Sequence, residues 1–205
     1  MRHALIAPEG RWAVLGLVLL AALVWAWRPP LALPVLVAAV LLAWLFRDPW
    51  REIPAAPLGL VSPVDGRVLE AGPAGDPFLH RPALRVVLRV AAAGPLVLRS
   101  VTEGRVQRVW VGGLPGAAPG QRGLAHWVRT DEGDDVVLAV YTPRGWPGLR
   151  SRLAAGERVG QGQRYGLVPP ASRVEVWLPE HSRLQVAPGR RLCAGSHLLG
   201  RLVHG

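Results

Sequence analysis

Residues 156–179 read GERVGQGQRYGLVPPASRVEVWLP, and the fold is read outward from them. Val174, Val176 and Leu178 alternate with Arg173, Glu175 and Trp177, the period of two of a half-buried strand. Pro169 and Pro170 have no backbone N–H to give a central ladder, so Ser172 falls where a loop enters that strand. On these residues alone, Ser172 is a serine at a strand start.

Similar period-two runs recur upstream. Leu84 to Val90, Leu96 to Val101, Arg105 to Val111, Leu124 to Arg129 and Val136 to Tyr141 are predicted strands, separated by Gly- and Pro-rich turns such as Gly112 to Gly123. No long amphipathic helical pattern appears in this part. The expected fold is mostly β, a barrel- or sandwich-like domain over residues 51–205.

The chain of 205 residues carries a net charge of +10, all its Lys+Arg cations are arginine, and it has neither lysine nor asparagine. A lysine Schiff-base enzyme is therefore excluded, and so is a phosphate loop built on its lysine. One cysteine, Cys193, can make no intramolecular disulfide and no multi-cysteine zinc site, and no metal site is expected. The basic excess points to an anionic partner. The arginines are scattered among hydrophobic strands without a nucleic-acid-binding motif, so the expected partner is anionic membrane phospholipid and not nucleic acid.

A membrane anchor is expected over residues 1–50. Residues 12–27, WAVLGLVLLAALVWAW, and 31–46, LALPVLVAAVLLAWLF, are uncharged and separated by Arg28-Pro29-Pro30. Each is shorter than the roughly 20 residues that cross 30 Å of hydrocarbon, so the pair reads as a hairpin of two short spans or as a re-entrant or interfacial hairpin. Trp12, Trp25, Trp27 and Trp44 lie near the ends of the runs, where amphipathic rings suit the headgroup region. Arg2, Arg11, Arg47 and Arg51 flank the outer ends against Arg28 in the connection, which puts both termini and the β domain on the cytoplasmic side of the inner membrane.

Four segments carry a resemblance. The stretch from Gly166 to Pro179 is similar to the self-cleavage segment of phosphatidylserine decarboxylases of the short, membrane-anchored form, in which a glycine-rich turn leads into Phe-Gly-Ser-Arg-Val and a strand ending in Leu-Pro. Phe46-Arg47-Asp48-Pro49-Trp50-Arg51 resembles the family's Phe-Arg-Asp-Pro-x-Arg box at the membrane exit, and Ser62-Pro63-Val64-Asp65-Gly66-Arg67-Val68 resembles its Ser-Pro-Ala-Asp-Gly-Lys-Val box. Residues 189–202, GRRLCAGSHLLGRL, resemble the family's terminal segment, so Gly195-Ser196 is a decoy for the cleavage dipeptide. The resemblance implies cleavage between Ala171 and Ser172 and conversion of Ser172 into a pyruvoyl cofactor. It further implies an Asp/His/Ser triad that contains Asp65, and decarboxylation of phosphatidylserine to phosphatidylethanolamine. A substrate that brings its own amine to the pyruvoyl group needs no lysine from the protein.

Two positions depart from that pattern. The family's histidine falls on Leu96 of GPLVLRSVTEG, which cannot take a proton, and the glycine before the serine falls on Ala171. His126, in LAHWV, is the substitute base to be tested; His80, His181, His197 and His204 read as surface or strand residues. The alternative function is an uncleaved, inactive relative that binds anionic phospholipid or a membrane partner.

Overall fold

The computed structural model describes residues 8–145, 149 and 152–203, so Arg2 and His204 lie outside the described residues. Two compact units result, residues 1–50 and 51–205. The first holds α1 (Pro8–Trp27) and α2 (Pro29–Leu45), which pack against each other. Arg28 and the prolines after it divide the helices, because Pro fits the first helical turn, where a missing N–H costs nothing. Leu19, Leu23, Leu33 and Val40 are exposed on these helices, and Gly10–Trp27 is long and apolar enough to cross a membrane.

The second unit is mostly β. Its strands are β1 (Gly59–Val61), β2 (Gly66–Asp76), β3 (Arg81–Val90), β4 (Val97–Arg99), β5 (Gly104–Gly112), β6 (Gly123–Arg129) and β7 (Asp135–Tyr141). They continue with β8 (Arg158–Val159), β9 (Arg164–Leu167), β10 (Arg173–Pro179), β11 (Arg183–Leu184), β12 (Arg191–Leu192) and β13 (Leu198–Arg201). Eight form one sheet in the order β12-β2-β3-β10-β7-β6-β5-β8, curled into a half-barrel. β1-β13-β11 and β4-β9 form two small sheets. The neighbours of β10 are both antiparallel, with Val174 opposite Leu88 on β3 and Val140 on β7.

Val174, Val176 and Leu178 enter a core with Leu60, Val64, Leu88, Leu138 and Leu199, as the alternation requires. The other face of β10 is buried too, which differs from a half-buried strand. Trp177 packs there with Phe78, Leu114, Ala125 and Tyr141, and Phe78 meets Trp110 edge-on at 5.3 Å. The turns after β2 and β5 bring Phe78 and Leu114 back over the sheet and cover its second face.

β2 escapes the sequence pattern, because Gly72, Pro73 and Gly75 resemble turn residues. It pairs along its length with β3, whereas its other side meets β12 only at Gly66 and Arg67. The missing N–H of Pro73 is tolerated on that open side.

Candidate functional site

The Ser172 turn is where the chain leaves the small β4-β9 sheet for the centre of the large one. Pro169 and Pro170 end β9's ladder, and the Ser172 N–H donates to the Pro169 carbonyl at 3.3 Å. Between them Ala171 is exposed with φ 59°, in the left-handed region that an L-residue with a Cβ enters at a cost of about 1–2 kcal/mol. A glycine would carry no such penalty. Ser172 follows fully buried, and its Oγ has no hydrogen-bond partner among the described residues. A buried hydroxyl left unpaired costs about 1–3 kcal/mol. Strain and an unsatisfied nucleophile thus sit on the two sides of one peptide bond.

Asp65 comes to the same end of β3. The Val90 N–H donates to the Ser172 carbonyl and the Ala91 N–H to the Asp65 carbonyl, each at 2.9 Å, so β3 carries the two candidate residues on its opposite edges. Gly66 makes this approach possible, since a Cβ there would lie 2.3 Å from the Arg89 carbonyl oxygen. The Asp65 carboxylate is fixed by Arg51, whose Nη2 lies 2.8 Å from Oδ2, and by the Ala194 N–H, which donates to Oδ1 at 2.7 Å. The Arg51 contact is a charge-assisted hydrogen bond, and each carboxylate oxygen keeps further acceptor capacity.

Leu96 lies in the segment between these two. Its carbonyl accepts from the Val168 N–H at 2.7 Å, and three residues on, the Arg99 N–H donates to the Pro63 carbonyl at 2.9 Å. A Cβ at Gly94 would sit 3.4 Å from the Asp65 Cβ. The segments holding Asp65, Leu96 and Ser172 are therefore stitched together by backbone hydrogen bonds, although their positions in sequence are far apart.

His126 is not brought to this junction. It lies on β6 opposite Leu138, itself opposite Val176, two strands and four residues from Ser172. Strand spacings of ~4.8 Å and ~3.3 Å per residue put it roughly 15 Å away. Its ring is buried edge-on against Tyr165 at 5.0 Å, and burial lowers its pKa to about 4. Such a ring is neutral at pH 7 and a poor proton acceptor. Ser196, beside Gly195, belongs to the turn before β13 that holds Asp65, and the His197 Nδ1 in that turn accepts from the Cys193 N–H at 2.9 Å. Among the described residues, no group of His, Cys, Asp and Glu could hold a metal ion.

Several known proteins similar to this chain share one description. A phosphatidylserine decarboxylase proenzyme of Nitrosomonas europaea is 31% identical over 209 residues, 96% of this chain and 95% of its own. That of Symbiobacterium thermophilum is 34% identical over 98% of both chains, and that of Aromatoleum aromaticum 32% over 98% of this chain and 97% of its own. The chain belongs to the phosphatidylserine decarboxylase proenzyme family. No family model and no solved structure matches it.

Phosphatidylserine decarboxylase proenzymes use a pyruvoyl group made from a processed serine. In this member of the family, the arginine that ends the Arg-Asp-Pro-x-Arg box, Arg51, is ion-paired with the aspartate of the Ser-Pro-Val-Asp-Gly box. The sequence shows both boxes but gives no sign that they meet. The turn from Cys193 to His197 closes over Asp65 from 129 positions away, a contact that the terminal-segment resemblance does not indicate.

Proposed function

We propose that this chain decarboxylates phosphatidylserine to phosphatidylethanolamine after cleaving itself between Ala171 and Ser172. The observation that carries the reading is the buried Ser172 Oγ, without a hydrogen-bond partner among the described residues, directly behind a left-handed alanine. In the cleavage, Oγ adds to the Ala171 carbonyl carbon and its proton passes to the departing amide nitrogen. The C–N bond breaks as the ester forms. Loss of the Ser172 Cα proton then expels the ester oxygen with Ala171 as a carboxylate. The double bond left at residue 172 shifts to an imine, and water replaces its nitrogen, released as ammonia.

The surroundings fit the product. Ser172 Cβ becomes a methyl group, and the oxygen that had no partner leaves with Ala171, so processing removes an unsatisfied polar atom from an apolar site. Asp65, held by Arg51 and the Ala194 N–H, supplies the fixed negative charge at the junction. When present, the pyruvoyl carbonyl supplies the electron sink that a carbanion at the substrate α-carbon requires.

The remaining readings concern the membrane. Residues 12–46 are proposed as the inner-membrane anchor, with both termini and the β domain in the cytoplasm and anionic phospholipid as the partner; the arginines outside the hydrophobic runs support this orientation. Protease added to sealed, right-side-out vesicles is expected to leave the β domain intact, and its digestion would refute the orientation.

One observation favours a second reading, an uncleaved relative that binds lipid. Leu96, whose side chain cannot take the Ser172 Oγ proton, occupies the segment between Asp65 and Ser172. Denaturing gels decide between the two. A self-processing chain gives two fragments and Ser172→Ala gives one, whereas Ser196→Ala cleaves like wild type. Were wild type intact, cleavage in the Leu96→His, Ala171→Gly double variant would assign the loss to those two side chains.

A further inference from the structure

On the face of the sheet opposite the Ser172 side chain, an open pocket of about 320 Å³ abuts the cleavage peptide. Arg89, Arg173 and Tyr141 form one row of its lining across three adjacent strands, with Arg173 opposite both of the others. Arg144 and Ala171 complete the side nearest the cleavage bond, and no aspartate or glutamate lines the pocket.

The three arginines are not equivalent. Arg173 is held in place, donating to the Gly116 carbonyl at 2.8 Å, lying 4.3 Å over the Tyr141 ring and 3.4 Å from the buried Glu175 carboxylate. Arg89 and Arg144 are exposed and pair with no acid among the described residues. Two such cations beside a third that is already fixed repel one another unless an anion comes between them. A guanidinium suits an oxyanion because it can present two parallel N–H donors to two oxygens.

We propose that this pocket binds the phosphate of a phospholipid headgroup, with Arg89 and Arg144 as its ligands and Arg173 as the fixed wall between them. The assignment rests on the decarboxylase reading for the identity of the lipid. The pocket borders Ala171, the residue before the cleavage bond. A free phosphate offers the same oxyanion chemistry, as does the carboxylate that cleavage would leave on Ala171.

The test uses the full chain in detergent micelles as Ser172→Ala, so that no new carboxylate is released. Binding of short-chain phosphatidylserine and of inorganic phosphate is measured by calorimetry. Adding Arg89→Gln and Arg144→Gln is expected to weaken lipid binding on the order of 100-fold, about tenfold for each charge-assisted contact. The control is Arg105→Gln with Arg108→Gln on β5, which removes the same charge from exposed positions away from the pocket and is expected to change affinity less than about threefold. Equal losses in both double variants, or no loss in the first, would overturn the assignment. Phosphate binding that depends on Arg89 and Arg144 without any lipid binding would overturn the lipid as its source. Cleavage of the wild-type chain is read separately on a gel. An intact wild type with arginine-dependent lipid binding keeps the pocket and removes the decarboxylase reading; a cleaved wild type with arginine-independent binding does the reverse.

Discussion

Moving the chain from pH 7 to pH 5 is expected to cost the folded state about 2 kcal/mol through His126 alone. Burial between the sheet and Tyr165 lowers its pKa from 6.5 to about 4. Between those values the unfolded chain binds the proton and the folded chain does not. The contribution is therefore fully present above pH 6.5 and is lost as the pH falls toward 4. At pH 5, protonation favours the unfolded state by a factor of about 30 and the folded state by about 1.1; RT ln of their ratio is ~2 kcal/mol. The assay is guanidinium unfolding of the full chain in micelles, followed by tryptophan fluorescence at both pH values. The same measurement on His126→Gln subtracts what the carboxylates contribute. Wild type should lose about 2 kcal/mol more than the variant. Equal losses would mean that His126 is solvated or charge-paired in the fold and would reopen its candidacy as a base.

Glu175 has the opposite sign. Burial raises its pKa, outweighing Arg173 and Arg85, so the stability it permits at low pH is lost as the pH rises through the carboxylate range toward its folded pKa; Glu175→Gln should flatten that loss in the same titration. Gly66→Ala should destabilise the β domain by about 1–3 kcal/mol, because the new Cβ meets the Arg89 carbonyl; an unchanged unfolding midpoint would contradict that approach. Ala171→Gly should be at least as stable as wild type, and Ala171→Val about 1–2 kcal/mol less stable, since a β-branched residue resists a φ of 59°; the reverse order would remove the strain. Arg51→Met should cost about 1–2 kcal/mol by leaving the Asp65 carboxylate with the Ala194 N–H as its remaining partner, and a neutral outcome in thermal unfolding would make the pair incidental.

Much of the fold is legible because alternation is a local property. β3, β5, β6, β7 and β10 each lie within a residue or a few of the period-two runs that mark them. What the pattern cannot give is the covering of both faces of β10, since Trp177 reads as an outward residue until the distant Phe78 and Leu114 are known to close over it. β2 is hidden for a chemical reason: its glycines and proline are turn formers that survive on a strand paired along one side. Ser172, Ala171 and Asp65 are named by their motifs, but the left-handed alanine, the unpaired hydroxyl and the Arg51 ion pair are products of tertiary structure. His126 shows the limit of reasoning from residue type. It has the right chemistry for a base, and the register of β6 carries it away from the serine.

The most direct measurement is the intact mass of the purified wild-type chain. Self-processing predicts two polypeptides, residues 1–171 ending in a carboxylate and residues 172–205 beginning with a pyruvoyl group, and one uncut polypeptide for Ser172→Ala. A single wild-type chain with an unmodified Ser172 would contradict it.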